Sequence, residues 1–208
     1  MDGHPARGMV PDAKWRGTMK DILKGELVRL SAMDMEEMSK AFSFWSRDTE
    51  FRRLLDSGAA HVSSQNAVKK WLEKGLDEQS INMHWFSIRK LDDDRLLGDI
   101  DLYVNNWPGR EAFVGLGIGE REFWGRGYGT DVMKVILRYG FTEVNLNRVT
   151  LVVFEYNPRA IRSYEKAGFR HEGRMRKVLN REGRRWDMLT MGILREEWME
   201  QNGYKITN

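Results

Sequence analysis

At 208 residues the chain is long enough for a single domain with one sizeable core, and 41% of its residues are hydrophobic. A formal net charge of +3 disfavours general nucleic-acid binding, and the absence of cysteine excludes disulfides, thiolate metal sites and a cysteine nucleophile. The four histidines lack ligand spacing, so we expect no metal site. No apolar run approaches the roughly 18 residues that span a membrane, and no signal-peptide core is present. We therefore expect a soluble cytoplasmic protein with no membrane or nucleic-acid partner.

The first half of the chain predicts one strand, then helices, then an antiparallel meander. Residues 1–20 mix Gly, Pro and charge without periodicity, so we expect an extension outside a single domain over 21–208. The alternation from Glu26 to Met33 predicts the first strand. Helices are predicted from Asp34 and from Ser64, with an irregular helical segment at 47–58 between them. Three strands follow: 84–90, 96–104 and 112–118.

The second half predicts helices alternating with strands and a closing hairpin. A helix at 130–142 precedes a strand at 147–154, and a further helix begins near Asn157. The last elements are strands: one from Phe169, and a hairpin of 174–180 and 185–194. This order predicts an α/β fold, a mixed but mostly antiparallel sheet of about seven strands with helices on both faces.

The most informative motif is a glycine loop between a strand and a helix. Gly125, Gly127 and Gly129 stand at alternate positions directly before the helix at 130–142. Glycine allows close approach to backbone N–H groups, and a helix N-terminus adds unpaired donors, so this segment predicts a phosphate cradle. The loop lacks the lysine of a P-loop and the G-x-G-x-x-G spacing of a dinucleotide site. The same G-x-G-x-G spacing recurs at 115–119.

A second motif follows about thirty residues later. Asn157 suits a helix N-cap, Pro158 the first helical position and Gly168 the residue after the helix. With the glycine loop, the run from Asn157 through Tyr164-Glu165-Lys166 to Gly168-Phe169 resembles the GNAT family of acetyl-CoA-dependent N-acetyltransferases. The resemblance extends over roughly Gly25 to Trp198. Its details are similar to the subgroup that contains ribosomal-protein N-terminal acetyltransferases.

The resemblance implies that acetyl-CoA is the cofactor and that two strands splay apart to admit it. The splayed strands would end near Ile118 and Phe154, with the pantetheine arm along the strand at 114–119. Many relatives carry Gln or Arg at the position of Trp124, so the role of that side chain is open. A backbone N–H near Gly117 or Ile118 would stabilise the oxyanion. The expected cofactor-binding residues are Gly117, Ile118, Trp124, Gly125, Arg126, Gly127, Tyr128, Gly129, Thr130, Asn157, Arg159, Ala160 and Tyr164.

The chemistry requires a neutral amine, a stabilised oxyanion and a protonated leaving sulfur. Direct attack in a ternary complex needs no enzyme nucleophile, which fits a chain without cysteine. The family pattern places Tyr164 beside the sulfur as the acid; the alternative is a core aromatic. The base is open between water and several carboxylates. The candidates are Asp99, Asp101, Glu111, Glu155 and Asp187. We single out Asp187 because it is expected in the interior of a strand, where an acid requires a partner or a function.

The acceptor is also open. Deprotonating a lysine-like amine at neutral pH costs roughly 4 kcal/mol, against about 1 kcal/mol for an α-amine, so a site without an obvious base favours a peptide or protein α-amine. The alternatives are a small-molecule acceptor, such as a polyamine or aminoglycoside, and a non-catalytic acyl-CoA-binding module. We expect the acceptor groove between the first two helices and the last hairpin. The oligomeric state is open between monomer and homodimer.

Overall fold

The computed structural model describes residues 21–77 and 81–204, which form a seven-stranded sheet covered by helices on both faces. The strand order is β1-β2-β3-β4-β5-β7-β6, and every neighbouring pair is antiparallel except β4 and β5. The strands are β1 Val28–Ser31, β2 Met83–Lys90, β3 Leu96–Asn106, β4 Glu111–Ile118, β5 Arg148–Phe154, β6 Arg170–Arg181 and β7 Arg184–Leu194. The helices are α1 Met35–Trp45, α2 Thr49–Leu55, α3 Gln65–Asp77, α4 Tyr128–Thr142, α5 Pro158–Ala167 and α6 Arg195–Gln201. The predicted fold class is confirmed.

Local signals fix the helix ends that matter for the site. The Asp34 carboxylate accepts a 2.8 Å hydrogen bond from Glu37 N at the start of α1. The Asn157 side chain accepts from Ala160 N at 3.2 Å and caps α5, while Gly168 ends this helix with φ of +104°. These caps satisfy backbone groups that the helix itself leaves unpaired. The predicted boundaries of α1 and α5 follow from them.

Two hydrophobic cores lie on opposite faces of the sheet. The larger packs α4 against strand residues such as Ile100 and Leu102, and it also includes Tyr164 of α5. The smaller is built by α1, α2 and α3 around Phe42 and Leu72. Because consecutive strand residues point to opposite faces, β3 serves both layers. The smaller core leaves open space between its helices and the sheet, and this space becomes part of the site.

Three predicted features differ in the structure. The strand from Phe169 and the strand 174–180 form one continuous β6, because register shifts after His171 and after Met175 absorb the irregularity. Helix α6 was not predicted; a Glu197 side chain accepts from Leu194 N at 3.0 Å at its start. Helix α4 begins two residues earlier than expected. The predicted extension over 1–20 lies outside the described residues. Within the described ranges, no helix is long and apolar enough to cross a membrane.

The first turn of α4 anchors the entry into β1. The buried carboxylate of Asp131 accepts backbone hydrogen bonds from Glu26, Leu27 and Val28 at 3.1, 2.8 and 3.1 Å. A Cβ atom at Gly25 would collide with this carboxylate, so only a glycine lets the backbone pass this close to Asp131. A charged acceptor shared by three N–H donors is a strong local interaction. It ties β1 to the helix that carries the glycine loop.

We predict that Asp131→Ala lowers the free energy of unfolding by about 2–4 kcal/mol, because three backbone donors lose a charged acceptor. Equilibrium urea denaturation followed by circular dichroism measures this change. Lys134→Ala, at an exposed position of the same helix, should change the stability by no more than about 0.5 kcal/mol. Equal midpoints for the two variants would contradict the anchoring role.

Candidate active site

A cavity opens where β4 and β5 separate. The two strands pair only at Glu111 with Arg148, Ala112 with Val149 and Phe113 with Thr150. Beyond these residues they diverge, and a cavity of about 1160 Å³ lies in and beside the gap. Its lining comes from both strands, the glycine loop, the first half of α5 and helices α1 to α3. The splayed strand pair is therefore present as predicted.

The glycine loop offers backbone donors at one end of this cavity. Gly125 and Gly127 have φ of +75° and +91°, conformations that L side chains rarely adopt. A Cβ atom at Gly125 would meet nothing within 4 Å, so the space beside it is open. Gly127 is the N-cap of α4 and provides no side-chain acceptor for its first turn. Unpaired N–H groups at a helix N-terminus fit a phosphate or pyrophosphate.

Trp124 links the glycine loop to the end of β4. Its indole N–H donates a 2.7 Å hydrogen bond to the Ile118 carbonyl. The ring lies against two guanidinium groups, with Arg121 at 4.8 Å and Arg159 at 4.0 Å from the ring centroid. Burial lowers the pKa of Arg159 from its ordinary value. The side chain whose role was open thus fixes the loop and positions Arg159 at the cavity.

Helix α5 places Asn157 and Tyr164 on the cavity wall. Tyr164 is 9% exposed, and burial raises the pKa of its hydroxyl to about 12. The phenol therefore stays protonated at neutral pH and is a hydrogen-bond donor. Thr130 of α4 and Ser163 of α5 share a 3.0 Å hydroxyl hydrogen bond, which couples the two helices beside the loop.

The structure brings most of the expected cofactor-binding residues together. Two of them do not line the cavity. Arg126 is exposed at the loop surface, and the Tyr128 ring packs on Phe123 at 5.0 Å between centroids. The cavity-lining members are Gly117, Ile118, Trp124, Gly125, Gly127, Gly129, Thr130, Asn157, Arg159, Ala160 and Tyr164.

The backbone direction along β4 distinguishes Ile118 from Gly117. Gly119 N donates to Leu97 O of β3 at 2.9 Å, while Ile118 O accepts from Trp124 on the other side. The N–H and C=O of one residue point to the same side of an antiparallel strand, and successive residues alternate. Ile118 therefore directs its N–H towards the gap, and Gly117 directs its N–H towards β3. The oxyanion donor that we expected near these two residues is better matched by Ile118.

Two carboxylates of β3 lie on the cavity wall opposite α5. Asp99 and Asp101 are partly exposed there. Burial raises the pKa of Asp99 to about 7, and the nearby Asp101 contributes. Burial also raises the pKa of Asp101 to about 6. Trp85 of β2 donates its indole N–H to Asp99 Oδ2 at 2.9 Å. These two candidate bases are placed where an amine can reach them.

The remaining candidate bases lie elsewhere. The Asp187 carboxylate is bound by Arg174 Nη1 at 2.6 Å and by Lys177 N at 2.8 Å, which lowers its pKa. Glu155 accepts from Asp187 N at 3.0 Å and contacts Arg174. Neither these carboxylates nor Glu111 lines the cavity. A catalytic Asp187 stays a prediction, and its contacts give it a structural role at the base of the β6–β7 hairpin.

The acceptor side of the cavity is lined by aromatic side chains of three elements. Trp71 of α3 lies edge-on to Trp85 at 5.5 Å and against Phe42 of α1 at 5.6 Å between ring centroids. Trp71 is 52% exposed, so this aromatic wall is open to solvent. Sequence reasoning did not single out Trp71 and Trp85 as site residues, because an aromatic residue in a predicted helix or strand is also expected in a core. The wall leads to the carboxylates of β3.

Only part of the predicted acceptor groove is formed. Phe42 lines the cavity, whereas Phe44 is 63% exposed away from it. From the last hairpin only Met188 reaches the lining; Trp186 packs on Tyr156 at 5.2 Å between centroids. Helix α3 takes the place that we expected for the hairpin. Among the described residues, no group of His, Asp and Glu side chains could hold a metal ion.

Comparisons with known proteins agree with this geometry. A family model described as the acetyltransferase (GNAT) domain matches residues 26–170. The uncharacterized, SPbeta prophage-derived N-acetyltransferase YokL of Bacillus subtilis (strain 168) is 27% identical over 179 residues, or 86% of this chain and 96% of YokL. The uncharacterized N-acetyltransferase YnaD of the same organism is 30% identical over 154 residues, or 74% of this chain and 86% of YnaD.

A solved structure shows the same fold. The spermidine N-acetyltransferase from Vibrio cholerae, in complex with CoA and spermine, matches with a TM-score of 0.72 at 22% identity. The match covers 83% of this chain and 98% of the other. At this identity the likeness concerns the fold alone. The family model and the relatives, with the splayed strands and the glycine loop, show that the chain belongs to the acetyltransferase (GNAT) family and is an acetyl-CoA-dependent N-acetyltransferase.

Proposed function

We propose that the chain transfers the acetyl group of acetyl-CoA to the α-amine of a peptide or protein, by direct attack in a ternary complex. One observation carries this proposal. A single cavity connects the glycine loop at Gly125 and Gly127 with Tyr164 and with the carboxylates Asp99 and Asp101. Both reactants can therefore meet between the splayed strands without a covalent enzyme intermediate.

The cofactor end would be held mainly by backbone groups. Open N–H donors around Gly125 and Gly127 suit the pyrophosphate, and Asn157 and Ile118 offer polar groups along the gap. Arg159, held over Trp124, suits a further phosphate. Bound acetyl-CoA supplies an activated acetyl group on a sulfur that leaves readily. The Ile118 N–H, directed into the gap, suits the oxyanion that develops during transfer.

Tyr164 suits the role of acid. Tyr164 lines the cavity, and its hydroxyl stays protonated because burial raises its pKa to about 12. Its neighbour Phe169 holds the ring at 6.1 Å between centroids, which limits its movement. A protonated donor at this place would stabilise negative charge on the leaving sulfur and supply a proton.

The charge of the acceptor side suits a single ammonium group. Asp99 and Asp101 form one carboxylate pair, and the raised pKa values mean that the pair carries less than two full charges near neutral pH. The third acid of this region, Asp56, contacts Arg52 at 3.2 Å. An ammonium group can also approach along the aromatic wall. An α-amine with a polar peptide behind it meets these conditions.

A polyamine acceptor is the second candidate. Its support is the carboxylate pair behind an aromatic wall, which would also receive one end of a polycation. The matched structure from Vibrio cholerae is a spermidine N-acetyltransferase, solved with spermine. The cationic Arg52, buried in the same lining, disfavours a ligand with several positive charges.

A thiol-release assay with acetyl-CoA tests the proposal. The acceptor panel comprises a tetrapeptide with a free α-amine, the same peptide with a blocked α-amine and one lysine, spermidine, and the aminoglycoside kanamycin. We expect the highest kcat/KM for the free α-amine. A higher kcat/KM for spermidine or kanamycin would replace the proposed acceptor, and no turnover with any amine would contradict the proposed function.

We predict that Gly127→Val raises the Kd for CoA by about tenfold or more, because a side chain would enter the space of the phosphate. Isothermal titration calorimetry measures this change. Gly183→Val is the matched control: Gly183 also has positive φ, +71°, with nothing within 4 Å of a Cβ atom, but it lies in the β6–β7 turn. A folded Gly127→Val protein with unchanged CoA affinity would refute the cradle.

We predict that Tyr164→Phe lowers kcat by about 10²-fold or more and changes the Kd for CoA little, since the acid is lost and the cradle is intact. Steady-state rates and calorimetry measure the two quantities. The control is Tyr139→Phe, which removes a hydroxyl that bonds His84 at 3.0 Å outside the cavity. Full activity of the Tyr164→Phe enzyme would make Tyr164 a core aromatic.

A further inference from the structure

We propose that Asp101 is the base that takes the proton from the acceptor's ammonium group, beside a second carboxylate, Asp99, that is held by Trp85. Two glycines of β4 make the space for both carboxylates. The inference rests on the proposed function, in that an amine is the acceptor. It goes further by assigning the base, which the sequence left open between five carboxylates and water.

The pairing of β3 with β4 sets each carboxylate opposite a glycine. Asp101 pairs with Gly115, and Asp99 pairs with Gly117. A Cβ atom at Gly115 would collide with Asp101 Oδ1, and one at Gly117 would lie 3.3 Å from Asp99 Oδ1. Residues directly opposite on an antiparallel pair project on the same face. The carboxylates therefore lean across β4, the strand whose free edge borders the gap.

This placement accounts for a motif that the cofactor cradle does not use. The sequence carries two runs of alternating glycines, and only the run at 125–129 belongs to the phosphate loop. In the other run, Gly119 leaves room for the indole of Trp45, with which a Cβ atom would collide. Gly115 and Gly117 leave room for the carboxylates. These glycines are two residues apart, which is the side-chain period of a strand, so they face the same side of β4.

The two carboxylates have different surroundings. Asp99 accepts the 2.9 Å hydrogen bond from Trp85 Nε1, and the Trp85 ring is itself held by Trp71. In the described part of the chain, no donor binds the Asp101 carboxylate, although it lines the same cavity. Because no donor occupies its oxygens, the Asp101 carboxylate can accept hydrogen bonds from an ammonium group, whereas one oxygen of Asp99 is already bound by Trp85. Asp99 is thus fixed, and Asp101 is free to bind an ammonium group.

The electrostatics support this division. The pKa of Asp99 is raised by burial first and then by the charge of Asp101, and the Trp85 hydrogen bond opposes the rise. Burial alone raises the pKa of Asp101. Other titratable or charged groups line the same cavity, from α2, the segment after it and α5: Arg52, Asp56, His61, Arg159, Arg162, Tyr164 and Lys166. None of these contributes to either shift, so burial and the pair itself determine them.

The proton balance is simple. One proton moves from the ammonium nitrogen to a carboxylate oxygen of Asp101, which leaves a neutral amine and a neutral carboxylic acid. The nitrogen lone pair is then free for attack. Asp101 returns the proton to water through the open side of the cavity. Because its pKa is raised towards neutrality, Asp101 is a better base than an exposed aspartate and still ionises at pH 7.

A carboxyl titration tests the pair without any acceptor. Protein labelled with ¹³C at the aspartate carboxyl carbons is titrated by NMR, and Asp99→Asn and Asp101→Asn assign the two resonances. We expect both midpoints above pH 5, and a lower midpoint for Asp99 in Asp101→Asn because one negative neighbour is removed. Midpoints near the ordinary aspartate value of about 3.9 would overturn the proposal.

The pH dependence of kcat/KM tests the role in transfer, with acetyl-CoA and the panel amine of highest kcat/KM. We expect Asp101→Asn to lower kcat/KM by about 10²-fold or more and to remove the acidic limb near pH 6–7, with the Kd for CoA unchanged. The control is Asp92→Asn, on the exposed turn between β2 and β3. Wild-type kcat/KM and an intact acidic limb in Asp101→Asn would refute the base while leaving acetyl transfer itself established.

Gly115→Ala separates position from chemistry. The added methyl group would displace the Asp101 carboxylate but keep its charge, so we expect a loss of kcat/KM of the same order as in Asp101→Asn. Gly173→Ala, also in a strand but with only ordinary contacts at 3.8 Å, is the control and should leave kcat/KM unchanged. Wild-type kcat/KM in Gly115→Ala would contradict the placement. If no panel amine is acetylated by the wild type, the proposed function fails and the role of Asp101 as base fails with it, whereas an active wild type with a fully active Asp101→Asn variant contradicts the base alone.

Discussion

The separation of β4 from β5 after Phe113 is the constraint on which the site depends. Parallel strands normally pair along their length, and here three residue pairs are formed before the strands diverge. The backbone edge of β4 beyond this point is left without a strand partner. Trp124 satisfies one group of that edge by donating to Ile118 O, and this bond also sets the start of the glycine loop. The open edge, the loop and the cavity are thus consequences of one interruption in the sheet.

Burial of two neighbouring carboxylates opposes folding. An ionised group whose pKa is raised in the folded state destabilises that state at pH above its ordinary value, because the folded protein binds the proton more tightly than the unfolded chain. For Asp99 and Asp101 this penalty is absent below the ordinary aspartate value of about 3.9, grows between that value and about pH 6 to 7, and is constant at higher pH. Elsewhere the fold uses a buried carboxylate favourably, since Asp131 accepts three backbone hydrogen bonds. The contrast supports the proposed role of the β3 pair, because stability does not explain a carboxylate pair whose burial opposes folding.

Local signals in the sequence predicted much of this arrangement. The glycine loop and the Asn157 cap are encoded within a few residues each, because backbone conformation and helix ends depend on near neighbours. The position of the base depends on the register between neighbouring strands. The residue pattern of one strand does not show which residues of the next strand lie opposite. Asp187 looked like a buried mid-strand acid, but the bulges of β6 bring Arg174 and Lys177 N to it. The pairing of Asp101 with Gly115 was accessible in principle, since both residues are seven positions from Pro108 in the connecting turn.

The assignment of Asp101 also bears on the choice of acceptor. Proton transfer from an α-amine of pKa about 8 to a carboxylate of pKa about 6 is uphill by about 2.7 kcal/mol. The same transfer from a lysine-like amine of pKa about 10.4 is uphill by about 6 kcal/mol, which would add more to the activation free energy. An α-amine acceptor is therefore still favoured when Asp101 is the proposed base, but the physical reason is different. Without a base the α-amine was favoured because it is partly neutral in water; with Asp101 it is favoured because its proton affinity is nearer to that of Asp101 than the proton affinity of a lysine-like amine is.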